Sequence, residues 1–436
     1  MPWLRLSART TRKQPTRSSM RWPVGWRNPK VKVSDLAGLK AALAAVVDSF
    51  AVPDVTPPPP QPARARTVGY FTSWSAYATP SYGVRELDTI ADQLTHVVYC
   101  FATIGSDLRV SLGDRWADVD MPYPANRSVD GVADAQTQQL KGHFHQLRKL
   151  KTRHPHLKVL VALGGPGQEG RFAQAVATPE GRQALAESVV EMFFHGNIPG
   201  LPPGEAAGIF DGLDLDWEFP QAADKDNLTA FIAGCRARMD EQGGELTAWV
   251  PANDHLMVHW DNEALGLFDF VVVQGYDLHG PWESNANYAS ALGTIYPDRT
   301  WFTCERAVDG WLAKGVAAEN LLLGVPFYCH GWTGVEPGPR GDGLWQPWLG
   351  MANPPKYRDL HSLPGMMGRT VGMGASKYDA VGKKFYSVDD PTVMAEKAAW
   401  VVRRGLGGVA AWELSGDTPD AALLTALAAG LSVRGR

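Results

Sequence analysis

Eight short, nearly continuous apolar runs recur at residues 67–74, 95–104, 157–165, 208–219, 245–252, 268–277, 321–328 and 407–415, with helical patterns between them. A strand that is apolar on both faces has to be covered on both, which is the pattern of parallel strands alternating with helices. The helical patterns fall at residues 136–151, 181–194, 225–240, 307–315 and 393–404. The alternation predicts an α/β chain closed as a (β/α)₈ TIM barrel, with a doubly wound open sheet as the weaker alternative. One stretch breaks the rhythm. Residues 329–390, rich in Gly and Pro and with few strand-like runs in 367–386, read as a small, shortened α+β insertion before the last helix. The 436 residues therefore resolve into one barrel over 67–431 with an insertion at about 329–390, preceded by an extension over 1–66.

That extension opens on a basic, polar stretch without periodicity, continues through a helix-like segment at 34–52 and ends in a proline-rich linker at 53–66. Asp35, Lys40 and Asp48 interrupt the helix, so it is too short and too charged to span a membrane. No small-residue cleavage site follows it, so there is no clear signal peptide. A formal net charge of -4 supplies no basic footprint, which argues against nucleic-acid and membrane partners. Cys100, Cys235, Cys304 and Cys329 form no CxxC pair and no disulfide framework. Tryptophan is over-used at 16 residues, and its indole N–H needs a partner when buried, so flat-faced ligand stacking competes with core filling as the reason.

The run DGLDLDWEFP, residues 211–220, carries Asp214, Asp216 and Glu218 at steps of two. On a strand this places all three carboxyls on one face, about 6.5–7 Å apart, with Leu213, Leu215 and Trp217 on the other. Three carboxyls facing a barrel interior cannot all ionise freely, so at least one is expected to titrate near neutrality, where a general acid works. Glu218 lies nearest the C-terminal end of the strand, where barrel enzymes hold their chemistry. The run lacks the turn glycine and distal glutamate of a calcium loop. The leucines and Trp217 contradict a merely solvated acidic edge.

DGLDLDWE resembles the DxxDxDxE signature of glycoside hydrolase family 18, the chitinase family. AWVPAN, QGYDLHGPWE, GVPFY and AAWELSGD follow in that family's order. The resemblance covers about 67–431 and implies a (β/α)₈ barrel that hydrolyses β-1,4 bonds in chitin or N-acetylglucosamine oligosaccharides, without metal or cofactor, as a monomer. By resemblance Glu218 protonates the leaving oxygen, and the substrate's own acetamide is the nucleophile. Asp216 orients that acetamide, and Asp214 shares a proton with Asp216. Tyr276 and Asp277 match the residues that hold the acetamide oxygen and the twisted sugar. Trp412 matches the floor beneath that sugar, Trp282 lines the leaving-group side, and Trp74 is a distal platform. Tyr70, Phe101 and Tyr328 support the site from strand ends. The family habit implies an extracellular location, with a cytoplasmic one as the alternative.

The departures carry expectations of their own. ALGGP, residues 162–166, has Ala162 where the family has serine and Pro166 where it has tryptophan. Ala162 is expected to leave Asp214 short of a hydrogen bond, at ~1–3 kcal/mol. The loss of a sugar platform at Pro166 predicts a shallower groove and weak action on long polymer. Gln274 replaces a frequent methionine, Cys329 a glycine and His330 an arginine. Two other readings compete: a chitin-binding lectin on the same barrel, and an endo-β-N-acetylglucosaminidase. The pairs His143/His145 and His154/His156 lie on or just after a helix without ligand spacing, which disfavours a metal-dependent hydrolase.

Overall fold

Strand β1 (Arg66–Thr72) pairs in parallel with β2 (His96–Ile104), and the series continues through β3 (Lys158–Gly164), β4 (Gly212–Asp216), β5 (Glu245–Val250), β6 (Phe270–Val273), β7 (Leu321–Pro326) and β8 (Gly408–Trp412). Strand β8 pairs back onto β1, Ala410 beside Val68, so the sheet closes and the open-sheet alternative falls away. The computed structural model describes residues 65–432 apart from 168, 295–301, 354, 364 and 371–373. The N-terminal extension with its helix and proline linker lies outside the described residues.

Helices cover the outside, and local sequence sets their limits. Thr178 accepts a hydrogen bond from the Gly181 amide at the start of Pro179–Val189, and Asp390 does the same for Val393 at the start of Pro391–Arg403. In both helices proline occupies the first turn, where a missing N–H costs nothing. Gly243 at φ 64° ends Lys225–Gln242, a left-handed position that glycine adopts without a steric penalty. Leu213, Leu215 and Trp217 pack outward among these helices, and Trp217 stacks on Phe172 at 4.9 Å. Val68, Leu160, Phe270, Leu322 and Ala410 fill the barrel's interior. Helix Ala422–Leu431, which the sequence patterns did not single out, follows β8.

The insertion stands between β7 and Pro391–Arg403. It holds an antiparallel sheet in the order Gly350–Met351, His330–Thr333, Lys384–Val388, Gly374–Asp379, Met366–Thr370. Three of these strands fall where the sequence showed few strand-like runs. In Gly374–Asp379 every position is buried, polar ones included, so no alternation marks it. The ammonium of Lys377 is satisfied there by the Leu360 carbonyl at 2.8 Å.

Candidate active site

The alternation expected along β4 is present: its leucines face the helices, and Asp214 and Asp216 are buried on the opposite side. The neighbouring strand β3 has to approach very closely here. Gly164 pairs with Asp216 at φ 126°, and a Cβ on it would lie 2.0 Å from the Asp216 carbonyl oxygen, so no other residue fits.

Asp214 is fully buried and accepts two hydrogen bonds, from Thr247 Oγ1 at 2.5 Å and from Tyr70 Oη at 3.3 Å. This corrects the expectation drawn from Ala162. Ala162 is the register partner of Asp214 on β3, and the hydroxyl comes instead from Thr247, the register partner on β5. Burial pushes the Asp214 carboxyl up to about 6, with the Thr247 and Tyr70 hydrogen bonds holding it lower than burial alone would. Asp216 is raised well above the ordinary carboxylate range, first by burial and then by the charges of Glu218 and Asp214. Its Oδ1 meets no donor among the described residues. Glu218 follows just beyond the strand, half-buried, and the Glu218–Phe219 peptide is cis.

The other expected residues fall around this row. Tyr276, just past β6, is buried, and its hydroxyl accepts a hydrogen bond from Trp249 Nε1 at 2.9 Å. Burial, followed by the Asp216 charge, raises its phenol well above the ordinary range, so it keeps its proton to donate. Asp277 stands at φ 53° and accepts from Tyr328 Oη and, at 2.6 Å, from His330 Nε2. Gln274 is half-buried, and its Oε1 accepts from the Ala252 amide at 3.4 Å. Trp412 closes β8 half-buried and stacks on Phe101 at 5.8 Å, with the ring of Tyr70 tilted against it at 5.4 Å. Trp74 extends this aromatic run outward from Phe101, at 6.0 Å and 47% exposed. Trp282 is 62% exposed and meets the edge of His330 at 6.3 Å, which connects it to Asp277.

Thr247 and Trp249 were not picked out as site residues. Both lie on β5 two residues apart and so share a face. That spacing was the available signal, and it needed the register with Asp214 to become specific. Trp249 packs in the barrel interior, and it also positions Tyr276. Among the described residues, the group of three side chains placed to ligate a metal ion lies elsewhere, at Asp92, His154 and His156. A half-buried carboxyl next to a buried one that is raised well above the ordinary range, beside an aromatic side chain, is equipped to donate a proton to a ligand whose flat apolar face is held by stacking.

Residues 66–417 match the family model for glycosyl hydrolases family 18. Over 392 residues the chain is 33% identical to chitinase 63 of Streptomyces plicatus, covering 86% of this chain and 62% of that protein. Over 371 residues it is 35% identical to chitinase C of Streptomyces lividans, covering 81% of this chain and 57% of that one. The chain thus spans about three-fifths of the length of these relatives. The solved catalytic domain of the psychrophilic chitinase B from Arthrobacter TAD20 superposes at TM-score 0.79 and 30% identity, covering 85% of this chain and 96% of that one. With the closed barrel, the acidic row on β4 and this match over most of its length, the chain belongs to glycosyl hydrolases family 18.

Proposed function

We propose that this chain hydrolyses β-1,4 bonds between N-acetylglucosamine units of chitin or chitooligosaccharides, with retention of configuration and the substrate's acetamide as nucleophile. The observation that carries this reading is the acidic row of β4, in which buried Asp216 stands between Asp214 and Glu218 and its carboxyl is raised well above the ordinary range, first by burial and then by those two charges. A protonated Asp216 donates toward Glu218 or toward the substrate, whereas an ionised one would repel the Glu218 carboxylate. Glu218 gives its proton to the leaving oxygen while the acetamide carbonyl attacks the anomeric carbon from the other face, forming an oxazolinium ion. Asp216 then turns to the acetamide N–H, and Asp214, titrating at about 6, takes up the proton shared along the row. Tyr276 donates a hydrogen bond from its hydroxyl to the acetamide oxygen and keeps its proton, and Trp412 stacks beneath the distorted ring. Glu218, now ionised, draws a proton from the water that opens the oxazolinium ion. The enzyme acts as a single chain on an extracellular polymer, so it works outside the cell.

The test is hydrolysis of a chromogenic chitotriose substrate by the wild type and by Glu218→Gln. Loss of the acid is expected to lower kcat by roughly 10²–10⁴-fold with the fold unchanged. Wild-type protein that binds chitin oligomers without cleaving them would replace this reading with the lectin. Equal activity of the two proteins would remove Glu218 from its role.

A further inference from the structure

The end of the barrel opposite the acidic row brings together residues that the sequence keeps apart. Helix Val84–Ile90 and the turn Ala91–Gln93 lead into β2, and helix Gly142–Arg153 leads through His154 and His156 into β3. Where these two connections meet, one ligand atom from each of Asp92, His154 and His156 lies within 4.8 Å of the others. We propose that these three side chains form a site for a divalent transition-metal ion of the zinc class, which clips the two connections together.

The hydrogen bonds around the group prepare both rings for it. His154 Nε2 lies 2.9 Å from Asp88 Oδ1, and its Nδ1 faces Asp92 Oδ1 at 3.5 Å. With Nε2–H donating to Asp88, the neutral ring presents its Nδ1 lone pair toward the Asp92 carboxylate, and a cation would bridge the two. Asp88 then plays the outer part in a carboxylate–histidine–metal series, fixing the tautomer and the ring's orientation. His156 Nε2 lies 3.2 Å from the Ala91 carbonyl, which only accepts, so that hydrogen bond puts the proton on Nε2 and leaves the lone pair of the neutral ring on Nδ1. The two rings meet edge to face at 6.0 Å.

Two imidazoles and one carboxylate favour zinc, copper or nickel over calcium or magnesium, which take oxygen ligands. Zinc bonds of about 2.0–2.1 Å place tetrahedral ligands about 3.3 Å apart, closer than they stand here. His156 is exposed and Asp92 is 91% exposed at its side chain, so small rotations close the set, with water as the fourth ligand. The competing arrangement is an imidazolium at His154 bridging Asp88 and Asp92, with Arg153 also on Asp88. His154 and His156 by themselves show no ligand spacing in the sequence. Asp92 joins them only through the fold.

The experiment adds ZnCl₂ to the EDTA-treated, dialysed protein at pH 7.5 and reads binding by titration calorimetry and Tm by scanning calorimetry. One site of micromolar affinity and a Tm rise that grows with zinc concentration are expected. Asp92→Asn and His156→Gln, both at exposed positions, are each expected to weaken zinc binding ~10-fold or more, with chitotriose hydrolysis unchanged. Asp88→Asn is expected to weaken it by a similar factor while leaving all three ligands in place. Wild-type protein that shows no zinc-dependent Tm shift, or variants that bind zinc as tightly as the wild type, would overturn the proposal and leave the imidazolium bridge.

Discussion

Thr247 holds Asp214 by the shorter of its two hydrogen bonds, 2.5 Å against 3.3 Å from Tyr70. Donors to a carboxylate favour its charged form, so their removal pushes the pKa further up. Thr247→Val keeps the side chain's shape and deletes only the donor. Its cost is expected to be ~1–3 kcal/mol above pH 6, where Asp214 is ionised and loses a partner. Below pH 5 the protonated carboxyl can point its own proton elsewhere, and the cost shrinks. Tm of the variant against wild type at pH 5 and pH 8 reads the difference, and an equal drop at both would place the effect in packing alone. At this scale the sequence was partly legible. Asp214, Asp216 and Glu218 declare themselves by spacing, because a period of two on a strand is a geometric statement. Thr247 does not, since its meaning depends on which residue of β5 lies beside Asp214. The shortage expected from Ala162 failed for the same reason: it considered one neighbouring strand and not the other.

Strand β4 places its charge problem inside the barrel, and that sets a pH dependence for the whole element. Asp214 and Asp216 both have folded pKa values raised above the unfolded ones, so the folded state keeps protons that the unfolded chain releases above about pH 4. Their stabilising contribution is full below that pH and is lost as pH rises through about 6 for Asp214 and beyond it for Asp216. Glu245 and Asp130 are depressed to about 2 and titrate well below this window. Asp118, raised by burial to about 7, does overlap it, so the informative quantity is the difference between wild type and a variant. Asp216→Asn removes the raised group at nearly constant volume. Its Tm is expected to exceed that of the wild type by several degrees at pH 8 and to converge with it near pH 4. Parallel Tm curves across that range would show that Asp216 ionises as freely in the fold as out of it. Element boundaries followed the same logic of burial. Barrel strands were legible as apolar runs because they are covered on both faces. The strands Gly374–Asp379 and Lys384–Val388 were not, because they bury Lys377, Asp379 and Ser387 on hydrogen-bond partners and so break the apolar run.

Across the whole molecule, the proposed sugar-binding surface is read from where aromatics stand relative to the acidic row. Trp412, Phe101 and Trp74 form a run that leads outward from the row on one side, and Trp282 stands exposed on the side of Asp277 and His330. Only their chain order and family resemblance could suggest this from sequence, since Phe101 and Trp412 come from strands β2 and β8 and Trp74 and Trp282 from the connections after β1 and β6. Pro166 interrupts the surface. It is exposed just past β3, and the preceding Gly165 lies so close to Phe101 that a Cβ there would approach its ring to 2.7 Å. A flat side chain at position 166 would therefore continue the aromatic run instead of standing apart from it. Pro166→Trp is expected to add one stacking contact worth ~1 kcal/mol, about a fivefold gain in affinity for a ligand long enough to reach it. The gain should appear as a lower KM on chitohexaose and faster release of soluble sugar from insoluble chitin. Chitotriose, too short to span from the acidic row to the rim, should show unchanged kcat and KM. An equal gain on both substrates would mean that the substitution acts through the row itself. No gain on either would mean that the groove does not run past β3, and the weak action on long polymer expected from Pro166 would need another cause.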